Sequence, residues 1–379
     1  MAVGVTHGFT KDRFAFARAA FESNFAHGAD VGASFCATLE GETVVDLWGG
    51  FADDARTRPW ERDTIVNVYS TTKTMLALTT LLIADRGLLD FNAPVARYWP
   101  EFAANGKGQI EVRQLMSHSA GLCGWKEPIS VEDLYDWEKA TSLLAAQAPL
   151  WEPGTAPGYH IVTQGYLVGE VVRRITGKSI GTVFREEIAK PLGADFHIGL
   201  PASEDARVAD LIPPPTIAID LQSELQRNTL SNPRFEVNET RTRAWRQAEI
   251  PAVGGCGNAR SIAEIHTILA NGGVAKGRRF LSEAGCRKAL EFQIEGMDLI
   301  LSMPVRFGMG FGLPSKLRPL PNPNTIYWGG LGGSMVIIDM DARTTFAYAM
   351  NKMSPLIRGD MRSMGVVMAM WKALAGARA

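Results

Sequence analysis

Apolar residues recur along this chain in three successive regimes. Near the N-terminus, Phe14, Ala17, Phe21 and Phe25 fall on one helical face, which predicts an amphipathic helix. Two β-rich runs follow, Val31 to Leu39 and Thr43 to Trp48, with Glu40-Gly41-Glu42 between them reading as a hairpin turn. From about Thr64 to Trp245, helical patterns alternate with Pro/Gly loops. The clearest are Val131 to Gln147, Gln164 to Thr176 and Thr182 to Ile188. In this middle regime, Met75 to Ile83 is apolar except at Thr79 and Thr80, the pattern of a helix buried on every side. The final third returns to strands at Thr325 to Trp328, Met335 to Asp339 and Thr344 to Met350, the last two joined by a turn at Asp341-Ala342-Arg343. A last helix is expected from Ile357 to Leu374.

Helix, strands, a long helical insert, strands and helix again predict an α+β fold. The early and late strands would share one antiparallel sheet flanked by the terminal helices, and the insert would form a mostly helical second lobe. We expect one catalytic unit over residues 10–375. Its discontinuous sheet lobe would take in about 1–62 and 246–379, and its helical lobe about 63–245. A cleft between such lobes is a common place for an active site. Pro213-Pro-Pro215 marks an exposed loop.

Composition narrows the function. With 46% hydrophobic and 21% charged residues in 379, the chain reads as ordinary soluble globular protein. A net charge of -1 without a long basic run argues against a nucleic-acid partner. No apolar stretch reaches the roughly 18 residues of a membrane span. Cys36, Cys123, Cys256 and Cys286 lie far apart without metal-ligand spacing, and the six histidines form no HExxH. Neither a metal nor a cofactor is expected. The N-terminal residues carry no charged segment leading into an apolar h-region, so reduced thiols and a cytoplasmic location are expected.

The strongest chemical signal is Val68-Tyr-Ser-Thr-Thr-Lys-Thr-Met75, at the head of the buried helix. Ser70 and Lys73 are three residues apart, close enough on a helix for the amine to reach the hydroxyl. Lys73 is the only lysine in the chain with a serine at that offset. A lysine held in an apolar interior loses solvation of its charged form, and its neutral amine can then serve as a base. Helix capping by Ser-Thr-Thr explains the same letters without catalysis. Gly177-Lys-Ser-Ile-Gly181 competes, because it fits a G-x-S-x-G nucleophile elbow. That elbow must follow a buried strand, however, and Tyr166 to Ile175 carries helical periodicity. Gly177 is better placed as a helix C-cap and Ser179 as the cap of the next helix. His118 reads as a loop organiser. Tyr159, in a Pro/Gly-rigid loop, could have its phenol pKa lowered by a cationic lysine and shuttle a proton. Tyr327-Trp-Gly-Gly-Leu-Gly-Gly-Ser334 would leave a strand backbone bare for close approach of a substrate.

Together these segments resemble the serine β-lactamase and penicillin-binding protein superfamily, most of all its family VIII carboxylesterase branch related to class C β-lactamases. The resemblance runs from the strands near Val31 to the last helix. It rests on Ser70-x-x-Lys73, Leu115-Met-Ser-His-Ser-Ala-Gly-Leu122, Glu152-Pro-Gly-Thr followed by Tyr159, Pro191-Leu-Gly193, Gly254-Gly255 before Ala259-Arg-Ser-Ile262, and Trp328-Gly-Gly330. It implies a β-lactamase/DD-peptidase-like fold and a Ser70, Lys73 and Tyr159 catalytic group, with the backbone N–H groups of Ser70 and Leu331 as oxyanion hole. Tyr69, Leu122, Trp125, Trp328, Gly329 and Gly330 would line the substrate pocket. Two positions depart from the class C pattern. Tyr159 is followed by His160-Ile161 where Tyr-x-Asn is usual, and Trp328-Gly-Gly stands where Lys-Thr-Gly is usual. Exchanging that lysine for an indole removes a cation suited to carboxylates and offers an apolar wall suited to a neutral ester. A serine carboxylesterase acting on small neutral esters is the resulting expectation. A β-lactamase or DD-peptidase-like hydrolase and an acyltransferase on the same scaffold are the alternatives.

Overall fold

The computed structural model describes residues 5–215, 222–355 and 360–376. At its centre lies a six-stranded antiparallel sheet assembled from both ends of the chain. Its strands are β1 (Thr6–Thr10), β2 (Gly32–Leu39), β3 (Glu42–Gly50), β4 (Thr325–Gly329), β5 (Met335–Asp339) and β6 (Thr344–Met350). They lie in the order β1-β3-β2-β6-β5-β4. The hairpin between β2 and β3 closes through Glu40 and Gly41, at φ 52° and 90°, the left-handed pair that a two-residue turn requires. At the β5–β6 turn, Asp339 Oδ1 accepts from Ala342 N at 2.8 Å.

Five helices position the sheet and the site: α1 (Ala15–Ala26), α2 (Thr72–Asp85), α3 (Thr163–Thr176), α4 (Ala259–Ala270) and α5 (Met361–Ala375). Side chains alternate along a strand, and β6 shows what each face meets. Phe346 meets Trp371 of α5 and Tyr348 meets Phe21 of α1, each at 6.2 Å between ring centroids. One residue before Phe346, and so on the opposite face, Thr345 donates to Ala263 O of α4 at 3.1 Å. The terminal helices therefore cover one face and α4 the other. The helix over the second face is absent from the sequence expectations, although Asn258 and Ser261 form a reciprocal capping box at its start.

Other differences have local causes. Val131 to Gln147 is not one helix. A single turn at Glu132–Tyr135 stops at Asp136, whose extended backbone and side chain, accepting from Lys139 N at 3.0 Å, cap a new helix at Trp137–Ala146. The helix expected at 182–188 begins at Ile180–Phe184 and widens at Arg185–Ala189. Strand β1 went unseen because its side chains are mostly exposed and do not alternate. Ile357 to Gly359 of the expected last helix lie outside the described residues. Helix α2 is buried from Thr72 to Ile83. The hydroxyls of Thr79 and Thr80 donate to Met75 O and Leu76 O at 2.7 Å each, which makes these two polar residues tolerable inside an apolar helix.

Candidate active site

Ser70 sits in a tight turn, Tyr69–Thr71, that leads into α2. Tyr69 adopts φ 43°, a left-handed conformation costly for a bulky residue and held here by its neighbours. Its N–H donates to Asn67 Oδ1 at 3.3 Å and its carbonyl accepts from Thr72 Oγ1 at 2.5 Å. The segment 252–255 embraces the same turn, with Val68 N donating to Gly255 O at 2.9 Å and Gly255 N to Thr72 Oγ1 at 2.9 Å. A Cβ on Gly255 would lie 2.5 Å from Thr72 Oγ1, so this approach requires glycine.

Lys73 is 1% exposed. Its Nζ lies 3.2 Å from Ser70 Oγ, 2.6 Å from Ile161 O and 3.0 Å from Ala252 O, and 4.9 Å from the centroid of the Tyr159 ring. Burial without a carboxylate partner pulls its pKa well below the ordinary 10.5. A neutral amine has two hydrogens and one lone pair. The two carbonyls can take the hydrogens, which leaves the lone pair for the Ser70 hydroxyl.

Tyr159 is buried, and its phenol faces the Ser70 hydroxyl and the indole of Trp328. Burial pushes the phenol pKa up, against the pull of those two neighbours. The lowered phenol pKa expected from sequence is therefore overturned. The burial that lowers the Lys73 pKa also penalises a phenolate, and Lys73 is not among the groups that pull the phenol down. Tyr159 remains a proton donor.

An aromatic cluster completes this wall. His118 lies 4.8 Å from Tyr159, 5.5 Å from Trp328 and 5.3 Å from Phe307, and Trp328 lies 5.5 Å from Phe307. His118 Nδ1 accepts from His160 N at 3.1 Å, which puts the imidazole proton on Nε2. His160 accepts from Leu122 N through Nε2 at 3.1 Å and donates from Nδ1 to Gly158 O at 2.6 Å. Burial lowers both histidines, His118 well below its usual value and His160 to about 4. The wall is thus uncharged at neutral pH. His118 organises the loop, and it also packs directly against the site.

The end of β4 abuts the Tyr69–Thr71 turn. Ser334 Oγ lies 2.8 Å from Val68 O and 3.0 Å from Thr71 Oγ1, and Gly330 N donates to Ser334 O at 2.8 Å. A Cβ on Gly330 would stand 2.1 Å from Val68 O. Among the described residues, neither Ser70 N nor Leu331 N has a protein acceptor, so both can serve a developing oxyanion.

Of the remaining pocket candidates, Gly329 ends β4 beside this turn. Leu122 is buried, and its backbone ties the loop to His160 and Thr163 Oγ1. Trp125 Nε1 donates to Ala140 O at 2.9 Å and its ring packs on Tyr166 at 5.6 Å. Ser179 is a helix cap. Its Oγ accepts from Thr182 N at 3.2 Å and donates to Glu249 at 2.6 Å, beside a cavity of about 300 Å³ lined also by Trp137 and Arg173. Gly177, at φ 70°, ends the preceding helix. Sequence reasoning missed the Ile161 and Ala252 carbonyls, Phe307 and Asp298. Backbone acceptors leave no side-chain signature, and Phe307 and Asp298 belong to a hairpin remote in sequence.

A buried serine–lysine pair at a helix head, beside the edge of an antiparallel sheet, is the arrangement of the serine β-lactamases and penicillin-binding proteins. The Beta-lactamase family pattern matches residues 21–364, and the chain belongs to that family. It is 36% identical over 372 residues to Esterase/beta-lactamase LipL of Mycobacterium tuberculosis (strain ATCC 25618 / H37Rv), covering 93% of this chain and 85% of that protein. It is also similar to a crystal structure of a family VIII carboxylesterase, at 45% identity and a TM-score of 0.93, over 97% of this chain and 100% of that one. A penicillin-binding protein homolog from Caulobacter crescentus matches at 38% identity and a TM-score of 0.92, over 97% and 100% of the two chains.

Proposed function

We propose that this protein is a serine carboxylesterase that hydrolyses small neutral esters through an acyl-enzyme on Ser70. The observation that carries the reading is the buried Lys73 amine, its pKa pulled down by burial, 3.2 Å from Ser70 Oγ and bonded to two backbone carbonyls. In the first step Ser70 Oγ attacks the ester carbonyl while its proton passes to Lys73. The backbone N–H groups of Ser70 and Leu331 receive the oxyanion, a contribution worth about 3 kcal/mol per donor. The Tyr159 phenol protonates the departing alkoxide and regains its proton from the Lys73 ammonium. Water then attacks the acyl-enzyme, giving up a proton to the same relay, and the free acid leaves with Ser70 restored. The chemistry uses side chains and backbone only.

Substrate class follows from the wall. Trp328, Phe307 and the neutral His118 present aromatic surface, which favours a neutral ester over a substrate bearing a carboxylate. The esterase names of LipL and the family VIII structure agree with this reading. The printed name of LipL also couples esterase to β-lactamase, which keeps β-lactam hydrolysis as a second reading. Four buried free thiols support a cytoplasmic location, and among the described residues no helix is long and apolar enough to cross a membrane. The deciding experiment is mass-spectrometric mapping of a fluorophosphonate adduct, with turnover of p-nitrophenyl butyrate and nitrocefin measured side by side. The label is expected on Ser70, lost in S70A and retained in S179A, with the ester hydrolysed faster. A label on Ser179 refutes the assignment, and faster nitrocefin turnover selects the second reading.

A further inference from the structure

One buried carboxylate takes no part in the steps above. Asp298 is 1% exposed and follows the first strand of a hairpin, Ile294–Met297 paired with Pro304–Phe307. Its Oδ1 accepts three backbone N–H groups. Ile300 N at 2.9 Å and Leu301 N at 2.8 Å belong to the hairpin tip, whereas Tyr159 N at 3.1 Å lies 139 residues away in sequence. A second tie runs alongside, from Leu299 N to Pro157 O at 2.9 Å. The tip is fastened in turn by Gln226 Nε2, which donates to Ile300 O at 3.0 Å and to Ser302 Oγ at 2.7 Å.

Burying a carboxylate is costly unless it is paired. Among the described residues no cation forms an ion pair with Asp298, and its Oδ2 has no hydrogen-bond partner. The two bonds within the hairpin tip could be made just as well by a solvated turn. Burial adds reach to Tyr159, in the loop that places the phenol against Ser70. We propose that Asp298 is a positioning residue for acyl transfer, holding the Tyr159 main chain so that the phenol stays directed at the leaving-group oxygen. The proposal rests on Tyr159 being the proton donor.

The test compares kcat/KM for ethyl butyrate, whose alkoxide needs a proton, with p-nitrophenyl butyrate, whose phenolate leaves unaided. In D298A the ethyl ester is expected to lose about 30-fold or more and the aryl ester less than about 5-fold, a selective loss within the range of general-acid catalysis. D298N, which keeps the accepting oxygen, is expected within about 3-fold of wild type on both esters. The D298A/Y159F double variant is expected to be no worse than Y159F on the ethyl ester, because the two changes remove one function. Should D298A fail to fold, D298S carries the same comparison, its hydroxyl being too short to reach all three N–H groups. Equal losses on both esters in a folded Asp298 variant, or additive losses in the double variant, overturn the proposal while Y159F alone still discriminates between the esters. A Y159F enzyme that loses both esters equally overturns the proton-donor reading, and the Asp298 proposal with it.

Discussion

Replacing Lys73 by Met removes the amine at nearly constant volume and separates its catalytic role from its energetic one. In the fold, burial holds the amine pKa well below 10.5, the value it regains on unfolding. Between those two pKa values the unfolded chain binds one proton more than the folded chain, so stability rises with pH. Below the folded pKa the amine is charged in both states, and this contribution is flat. The slope in the window is about 1.4 kcal/mol per pH unit for one proton. At any single pH the variant reports a difference of opposing terms. Methionine leaves Ile161 O and Ala252 O without their donor, at about 1–3 kcal/mol for each buried carbonyl. It also relieves the burial of an ionisable group, which costs several kcal/mol. Those terms largely offset each other, whereas the pH slope has no counterpart in the variant. Other titrating groups are common to both proteins and cancel in the difference.

Urea unfolding of wild type and K73M at several pH values from 7 to 9.5, with equal m-values, gives the comparison. Wild type is expected to gain on the variant by up to about 1.4 kcal/mol per pH unit. In parallel, the ester kcat/KM of K73M is expected to fall by about 10²–10⁴-fold, the range for losing a general base. Parallel stability–pH lines for the two proteins would mean that the folded amine keeps its charge. A resting base at position 73 would then be refuted, however inactive the variant.

Two further outcomes follow from contacts around the proposed oxyanion site. G330A drives a Cβ to within 2.1 Å of Val68 O and 2.4 Å of Ser334 Oγ. It should separate the end of β4 from the nucleophile turn and lower kcat/KM by on the order of 100-fold, with circular dichroism unchanged. R362M removes the buried cation that pairs with Asp30 at 2.8 Å and with Asp360, and that also donates to Gly332 O at 2.8 Å. The stranded carboxylates should cost about 3–5 kcal/mol in urea unfolding, and activity should fall as the 330–334 turn loosens.

How much of this was legible in the sequence depended on the kind of interaction. Ser70 and Lys73 could be read because their contact is local, one turn within a single run of chain, and local geometry follows from spacing alone. The same holds for the β2–β3 hairpin and for Ser179, whose surroundings Tyr166 to Ile175 already spoke for a helix cap. The α4 helix carried its signal in Asn258 and Ser261, but it was read as a motif and not as an element. What sequence could not supply was the electrostatic sign at Tyr159. A nearby lysine suggests a lowered phenol pKa only if that lysine is charged, and the burial that pulls the Lys73 pKa down comes from elements distant in sequence that close over it. Asp298 lay further out of reach, since its meaning rests on one hydrogen bond across 139 residues. The pattern has a physical basis. The Ser70–Lys73 contact is local, whereas the electrostatics and orientation around it are set by long-range packing: an interior whose burial lowers the Lys73 pKa, and a hairpin whose Asp298 accepts from Tyr159 N. A variant of these distant supports should therefore alter proton transfer while leaving the Ser70-x-x-Lys73 motif intact. That separates this account from one in which the motif alone is sufficient.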